Sequence, residues 1–270
     1  MRINHLCEIF AGRCALTMAA HRRGMRGTPF DRRINPAHDI TCIYGFTWCA
    51  IIVASVVVGG VAWIAPECAS WLYAPSRYMK RRASNGYEGD ISRRDVREAN
   101  VTARAVGWLV AFATARDVRV VVENPPNSNL WKFPDLLKRL QEAKGLLWTT
   151  YGGAFGFKNV KPLGLYSTVP ADLIEFSMVR ERREAQQRVG PGKQNLIFHQ
   201  PMSAMAKAKA KAAAKANTAP KGRGRGKAKA APKFKTYWKT GSKRAMRESS
   251  VYTDEFGDAA AQMIRSMFAA

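Results

Sequence analysis

Residues 40–66 are twenty-seven consecutive positions without a charged side chain. A run of that length satisfies the requirement of about 20 apolar residues for a helix that crosses a bilayer. It is therefore either a membrane span or a piece of folded core. Gly59-Gly60 and Pro66 interrupt it, and Thr41, Thr47 and Ser55 are interspersed in it. Its two halves also differ in kind. "FTWCAIIVASVV" (46–57) has the length of a buried helix, and "GVAWIA" (60–65) that of a short strand. A buried helix followed by a buried strand is the preferred reading. A membrane anchor through 40–66 stands as an alternative.

The flanking sequence extends the pattern. "INHLCEIFAG" (3–12) is a strand entering a tight turn, and "ALTMAAHRRG" (15–24) a helix closed by Gly24. "GTPFD" (27–31) is a second strand with Asp31 at its end, and "HDIT" (38–41) a candidate third. Residues 94–116 have apolar side chains at helical spacing. "DVRVVVENPP" (117–126) packs four valines before an abrupt polar and proline stop, which marks a strand end. "FPDLLKRLQEAKG" (133–145) is an amphipathic helix with proline in its first turn. "LLWTTY" (146–151) and "PLGLYST" (162–168) are further strands. Alternation of strands and helices predicts an α/β, Rossmann-like domain, with a mostly parallel sheet and helices on both faces.

Beyond this domain the composition changes. Residues 201–247 hold fifteen Lys or Arg and no Asp or Glu, within a chain of net charge +24. "SAMAKAKAKAAAKANTAPKGRGRGKAKAAPKFK" (203–235) has too little apolar surface to offset the entropy of ordering it. The organisation expected is a domain over 1–187, a basic disordered tail over 188–250 and a short terminal helix over 251–270. Lys207, Lys209, Lys211, Lys215, Lys221, Arg223, Arg225, Lys227 and Lys229 suit phosphate contacts without base readout. Tyr237 and Trp238, set among lysines, suit either stacking on bases or packing against the domain. The partner expected is nucleic acid, DNA before RNA.

Five cysteines, at 7, 14, 42, 49 and 68, include no Cys-x-x-Cys pair, and the four histidines are scattered. That spacing excludes a structural zinc site, and no metal is expected. The odd count without a secretion signal points to the nucleus or another reducing intracellular compartment. The chain is expected to be a monomer.

Three stretches carry chemistry. In "EIFAG" (8–12) a small-residue turn lets backbone N–H groups and a helix start come close to a ligand. Asp31, at the next strand end, could accept hydrogen bonds from ribose hydroxyls. The remaining two, "APECASW" (65–71) and "VVVENPPNSNLW" (120–131), are also strand ends, so Cys68 and Glu123 would face the same crevice. A thiolate and a carboxyl group together can attack an electron-poor ring, the thiolate adding to the ring while the carboxyl hydrogen-bonds a ring nitrogen.

The order "EIFAG", Pro66-Glu67-Cys68, Glu123-Asn124-Pro125 resembles the cytosine 5-methyltransferases, enzymes that use S-adenosylmethionine, over roughly residues 6–170. The resemblance implies a cofactor pocket lined by Phe10, Ala11, Gly12 and Asp31, with Asp39 as an adenine contact. It implies Cys68 as nucleophile and the Glu123-Asn124 pair as the group that holds the target ring. "YTDEFGDAAAQMI" (252–264) resembles the terminal helix that such enzymes pack beside the cofactor turn. The pattern "VVVENPPNSNLW", "TYGGAFGF", "KPLGLYST" is closer still to a large set of divergent dinoflagellate proteins.

Several features depart from the family. Pro66-Glu67-Cys68 replaces Pro-Pro-Cys and sets a carboxylate beside the thiol, which raises its pKa. No stretch corresponds to the family's Gln-x-Arg-x-Arg, and little sequence is left for a target-recognition domain. Asn124-Pro125-Pro126-Asn127 also resembles the Asn-Pro-Pro-aromatic strand end of adenine amino-methyltransferases, with Asn127 where the stacking ring would be. The leading expectation is S-adenosylmethionine-dependent methyl transfer to nucleic acid, at cytosine C5, with the tail on the phosphate backbone. The alternative is a catalytically silent protein of the same fold that binds DNA or RNA.

Overall fold

The computed structural model describes residues 3–72, 78–190 and 252–268. In chain order the elements are β1 (Asn4–Ile9), α1 (Ala15–Arg22), β2 (Gly27–Phe30), α2 (Ile43–Ala54), β3 (Val56–Ile64), α3 (Arg94–Thr114) and β4 (Arg119–Asn124). Then follow α4 (Pro134–Glu142), β5 (Leu146–Tyr151), β6 (Pro162–Ser167), α5 (Ala171–Met178), α6 (Arg182–Val189) and α7 (Asp254–Ser266). The strands form one sheet in the order β2-β1-β3-β4-β6-β5. β2, β1, β3 and β4 run parallel, and β6 runs antiparallel to both of its neighbours. The expected α/β sheet is therefore present and mostly parallel. The exception has a local cause: β5 and β6 are joined by a ten-residue loop with one 3₁₀ turn (Gly152–Phe155), too short for a crossover helix.

A parallel sheet has to be covered on both faces, and the central strands are apolar on both. Val120, Val121 and Val122 are fully buried, and they divide between two cores. One core joins alternate strand residues to α2, α3 and α4, and the other joins the remainder to α1, α5, α6 and α7. In α3 the buried residues Val96, Asn100, Ala103, Val106, Val110 and Ala113 recur every three or four positions, the spacing of one helix face.

The uncharged run 40–66 divides into a helix and a strand, but at Ser55 and not at Gly59-Gly60: the helix runs from Ile43 to Ala54 and the strand from Val56 to Ile64, with both glycines inside it where the pairing with β1 shifts register. Among the described residues no helix is long and apolar enough to cross a membrane. Two local expectations are corrected. "HDIT" (38–41) is not a strand: Asp39 takes the Thr41 backbone N–H at 2.9 Å and its hydroxyl at 2.7 Å, and the chain turns into α2. Nor is α2 buried all round. Gly45, Cys49, Ile52 and Val53 face the core, while Ile43, Tyr44, Trp48 and Ile51 are exposed. An uncharged helix gives no polar face from which the outward side could be read.

α7 follows the basic segment in sequence but belongs to the same compact unit as residues 3–190. It lies directly on α1, with Phe256, Ala260, Ala261, Met263 and Ile264 buried. Thr253 caps it by accepting from the Phe256 N–H at 3.3 Å, and Asp258 pairs with Arg23 at 2.5 Å and Arg22 at 3.1 Å. The contact is close enough to demand glycine at 257, where a Cβ would stand 2.5 Å from the Ala15 carbonyl oxygen. Gly257→Ala is expected to lower stability by about 1–3 kcal/mol, the usual cost of overpacking. Urea unfolding checks this, and an unchanged midpoint would show that the helices can separate freely.

Candidate active site

The register aligns the strand ends. Ile9 pairs with Ile64, and Ile64 with Val122, so the residues after β1, β3 and β4 emerge side by side. The Ala65 N–H donates to the Ile9 carbonyl at 3.1 Å and extends the alignment by one residue.

The turn after β1 is tied to the end of β2. The Phe10 N–H donates to the Phe30 carbonyl at 2.8 Å, and the Gly12 N–H donates to Asp31 Oδ2 at 2.9 Å. Phe10, Gly12 and Cys14 all have left-handed backbone, with φ of 63°, 54° and 59°. Outside glycine this conformation costs of order 1–2 kcal/mol per residue, and such strain gathers at ligand-binding turns. No atom lies within 4 Å of the position a Cβ would take at Gly12, so the outer side of the turn is open. Ala11 and Asp31 are buried, and Asp31 Oδ1 also accepts from the Arg33 N–H at 2.7 Å. The structure thus brings Phe10, Ala11, Gly12 and Asp31 together. Asp39 sits beyond them at the turn into α2, where its bonds to Thr41 hold its carboxyl below the ordinary carboxylate range.

One element of the expected cradle is already used. Glu8, 1% exposed, accepts from the Thr17 N–H at 2.8 Å and hydroxyl at 2.7 Å, and from the Leu16 N–H at 3.4 Å. The start of α1 is therefore capped from within, and these two N–H groups face a side chain and not an incoming ligand. Burial raises the Glu8 carboxyl above its ordinary value, against the effect of those bonds.

Cys68 opens the turn after β3, where its carbonyl accepts the Trp71 N–H at 2.9 Å. Two contacts set this turn. Asn124 Nδ2 donates to the Pro66 carbonyl at 2.9 Å. Arg81, buried, donates to the Ser70 carbonyl at 2.9 Å and to Asn100 Oδ1 at 2.7 Å, and lies 3.6 Å over the Trp71 ring. Neither Arg81 nor its role is signalled in the sequence, where it is one basic residue in a basic loop.

Burial pushes the Cys68 thiol up to about 11; Lys161 acts against this, and Glu123 and Glu67 add to it. Glu67, the carboxylate next to the thiol in sequence, raises it as expected but contributes least of these; it points outward, 3.9 Å from Arg32. The raised value favours the un-ionised thiol at neutral pH.

Glu123, 8% exposed, lies on the opposite face of β4 from Asn124, as alternate strand residues do. Its Oε2 accepts from the Tyr252 hydroxyl at 3.1 Å, and its Oε1 is buried without a hydrogen-bond partner. Burial raises its carboxyl, with Lys161 and the Tyr252 hydrogen bond opposing. Cys68, Glu123 and Lys161 are thus close enough to influence one another, whereas Asn124 serves the Pro66 carbonyl. Sequence reasoning missed Lys161 and Tyr252. The first opens "KPLGLYST" and the second opens "YTDEFGDAAAQMI", so both lay inside quoted stretches, but nothing local assigned them to the crevice. The nine basic residues of the tail, and Tyr237 and Trp238, lie outside the described residues. Among the described residues no group of three or more His, Cys, Asp or Glu is placed to hold a metal ion.

No family model matches the chain, and no curated protein matches it. Among solved structures the chain is similar to the Entamoeba histolytica methyltransferase EhMeth, with 16% identity and a TM-score of 0.34. The match covers 62% of this chain and 52% of that one, so the chain spans about half the length of the structure it matches. At that TM-score the likeness carries no functional information. None of these findings supports the closer likeness to dinoflagellate proteins.

Two outcomes follow from the electrostatics. Alkylation of Cys68 by iodoacetamide, followed by site-resolved mass spectrometry, should rise about tenfold per pH unit from 7 to 10; levelling off above about pH 9 would mean an unshifted thiol. Glu123 has a folded-state pKa above its unfolded one, so keeping it ionised costs stability, and the cost disappears as pH falls through the raised value. Glu123→Gln should therefore melt higher than wild type at pH 7–8, with the difference vanishing near pH 4.5. A lower melting temperature at every pH would show that the carboxylate is stabilised by its neighbours.

Proposed function

We propose that the chain is a methyltransferase-type enzyme that binds S-adenosylmethionine and acts on nucleic acid, at C5 of cytosine. The observation that carries this reading is the convergence at the strand ends: a strained, open-faced turn bonded to Asp31, with Cys68 and Glu123 on the neighbouring strands. The residues fit the cofactor. Asp31 is a buried acceptor at the edge of the turn, and Gly12 leaves room for a ligand directly above the backbone. When bound, the cofactor supplies an electrophilic methyl group. The chain supplies the nucleophile and the ring-holding group: Cys68 Sγ adds to the ring as thiolate and leaves again as the C5 proton is lost to solvent, and the Glu123 carboxyl, shifted towards its neutral form by burial, hydrogen-bonds a ring nitrogen and stabilises the adduct. The basic residues from Lys207 to Lys229 would hold the phosphate backbone.

A second reading is supported by the thiol. With Cys68 raised to about 11, the same fold could act as a catalytically silent protein that binds nucleic acid through its tail.

Calorimetric titration with S-adenosylmethionine separates the two. Micromolar binding that falls at least about tenfold in Asp31→Ala, a loss of about 1.4 kcal/mol, is the enzyme's signature. Cys68→Ser and Glu123→Gln should then keep cofactor binding and lose turnover by about 10²–10⁴-fold. Absence of binding by the folded chain would sink the enzyme. For either reading, deletion of 203–247 should abolish nucleic-acid binding, and the intact chain should show a log–log salt slope of about −8 on duplex DNA if nine phosphates are contacted.

A further inference from the structure

We propose that Tyr252 is the positioning residue of Glu123: its hydroxyl, set by Trp63, occupies Oε2 and leaves Oε1 as the oxygen presented to the target ring. The inference rests on the reading of Glu123 as the base-holding carboxyl and identifies what orients it.

The direction of the chain of hydrogen bonds follows from the groups themselves. An indole N–H can only donate. Trp63 Nε1 lies 3.2 Å from the Tyr252 oxygen, so that oxygen accepts from Trp63, and the phenolic proton is left to point at Glu123 Oε2, 3.1 Å away. Oε2 is thereby fixed as an acceptor. Oε1 is buried with no partner, in a side chain that is itself 8% exposed. A buried polar atom without a partner is costly unless something arrives to pair with it. A protonated Glu123 would carry its proton on this free oxygen, where it can be donated to a ring nitrogen.

The phenol is held rigidly enough for this role. Its ring stacks on Phe256 at 4.5 Å and 25°, and meets Trp63 edge-on at 6.4 Å and 90°. Burial and the nearby Glu123 push the phenol well above its ordinary value, so it stays a donor. Other groups act on this pair from the surrounding elements: Lys161, just before β6, on Glu123, and Glu8 from β1 on Tyr252, while Glu123 itself acts on Cys68 after β3. Tyr252 is 129 positions from Glu123 in sequence and directly precedes the cap of α7, so the docking of α7 on α1 completes the site.

The test uses the full chain and Tyr252→Phe, which removes the hydroxyl and keeps the stacked ring. The first readout is the titration of the Glu123 carboxyl by ¹³C NMR of glutamate-labelled protein, assigned with Glu123→Gln. Loss of a donor to the carboxylate should move the titration upward in Tyr252→Phe; an unmoved titration overturns the inference whatever the enzyme does. The second readout is covalent trapping, with S-adenosylmethionine present as methyl donor, by an oligonucleotide carrying cytosine fluorinated at C5: Cys68 adds to the ring, the methyl group is transferred to C5, and fluorine in place of the C5 proton blocks the elimination that would release the thiolate. Tyr252→Phe should trap about 10–100-fold more slowly at pH 7, with unchanged oligonucleotide affinity and a displaced pH profile. Equal rates and an unchanged profile overturn the inference. If the wild type itself forms no adduct, the cytosine reading falls, and the role of Oε1 toward a base falls with it, even if the titration moves.

Discussion

A mostly parallel sheet that is apolar on both faces cannot be left half covered, and that requirement organises the rest of the molecule. The helices interleaved with the strands cover one face with α2, α3 and α4. The other face takes α1, α5 and α6, and is completed by α7, which returns from beyond the basic segment. The return is made against the carbonyl of Ala15 and places Tyr252 against Trp63 and Glu123. Covering the sheet and completing the crevice are therefore one event. A fold that needs its last helix for its core also needs it for its candidate site.

Much of this was legible in the sequence. That the uncharged run 40–66 divides into a helix and a strand could be read from the change in residue type between its halves, but its boundary could not: Gly59-Gly60 looked like the break and instead lies inside β3. The strand ends at Gly12, Asp31, Cys68 and Glu123 could be read because each is an apolar run stopped by a turn residue or a charge. The outward face of α2 could not be read, because a helix without charged residues and with a lone threonine has too little pattern to distinguish inside from outside. The capping of α1 by Glu8 could not be read either. The same carboxylate would look alike in sequence whether it served a ligand or the helix, and only the 2.8 Å contact to the Thr17 N–H decides.

The partners of Glu123 lay further from reach. Lys161 and Tyr252 come from an antiparallel hairpin and from a helix across the basic segment, and no local rule joins either to β4. Asn124 shows the converse. Paired with Glu123 in sequence, it is parted from it in space because strand residues alternate, and its amide goes to the Pro66 carbonyl. A two-letter motif at a strand end can thus divide its labour, one residue facing the crevice and the other fastening the turn that carries Cys68.

The chemistry of the crevice is set by burial more than by neighbouring charge. Burial is the leading cause of the shifts at Cys68, Glu123 and Glu8, and in each it favours the neutral form. For Glu123 this suits a carboxyl that donates a proton to a ring. For Cys68 it works against a thiolate, and Glu123, when ionised, works against it further. The two demands are met together only if Glu123 is protonated when Cys68 is not. A neutral Glu123 removes the like charge beside the thiol and leaves Lys161 as the nearby charge acting to lower it. The protonation of the carboxyl and the ionisation of the thiol are thus coupled, each favouring the other.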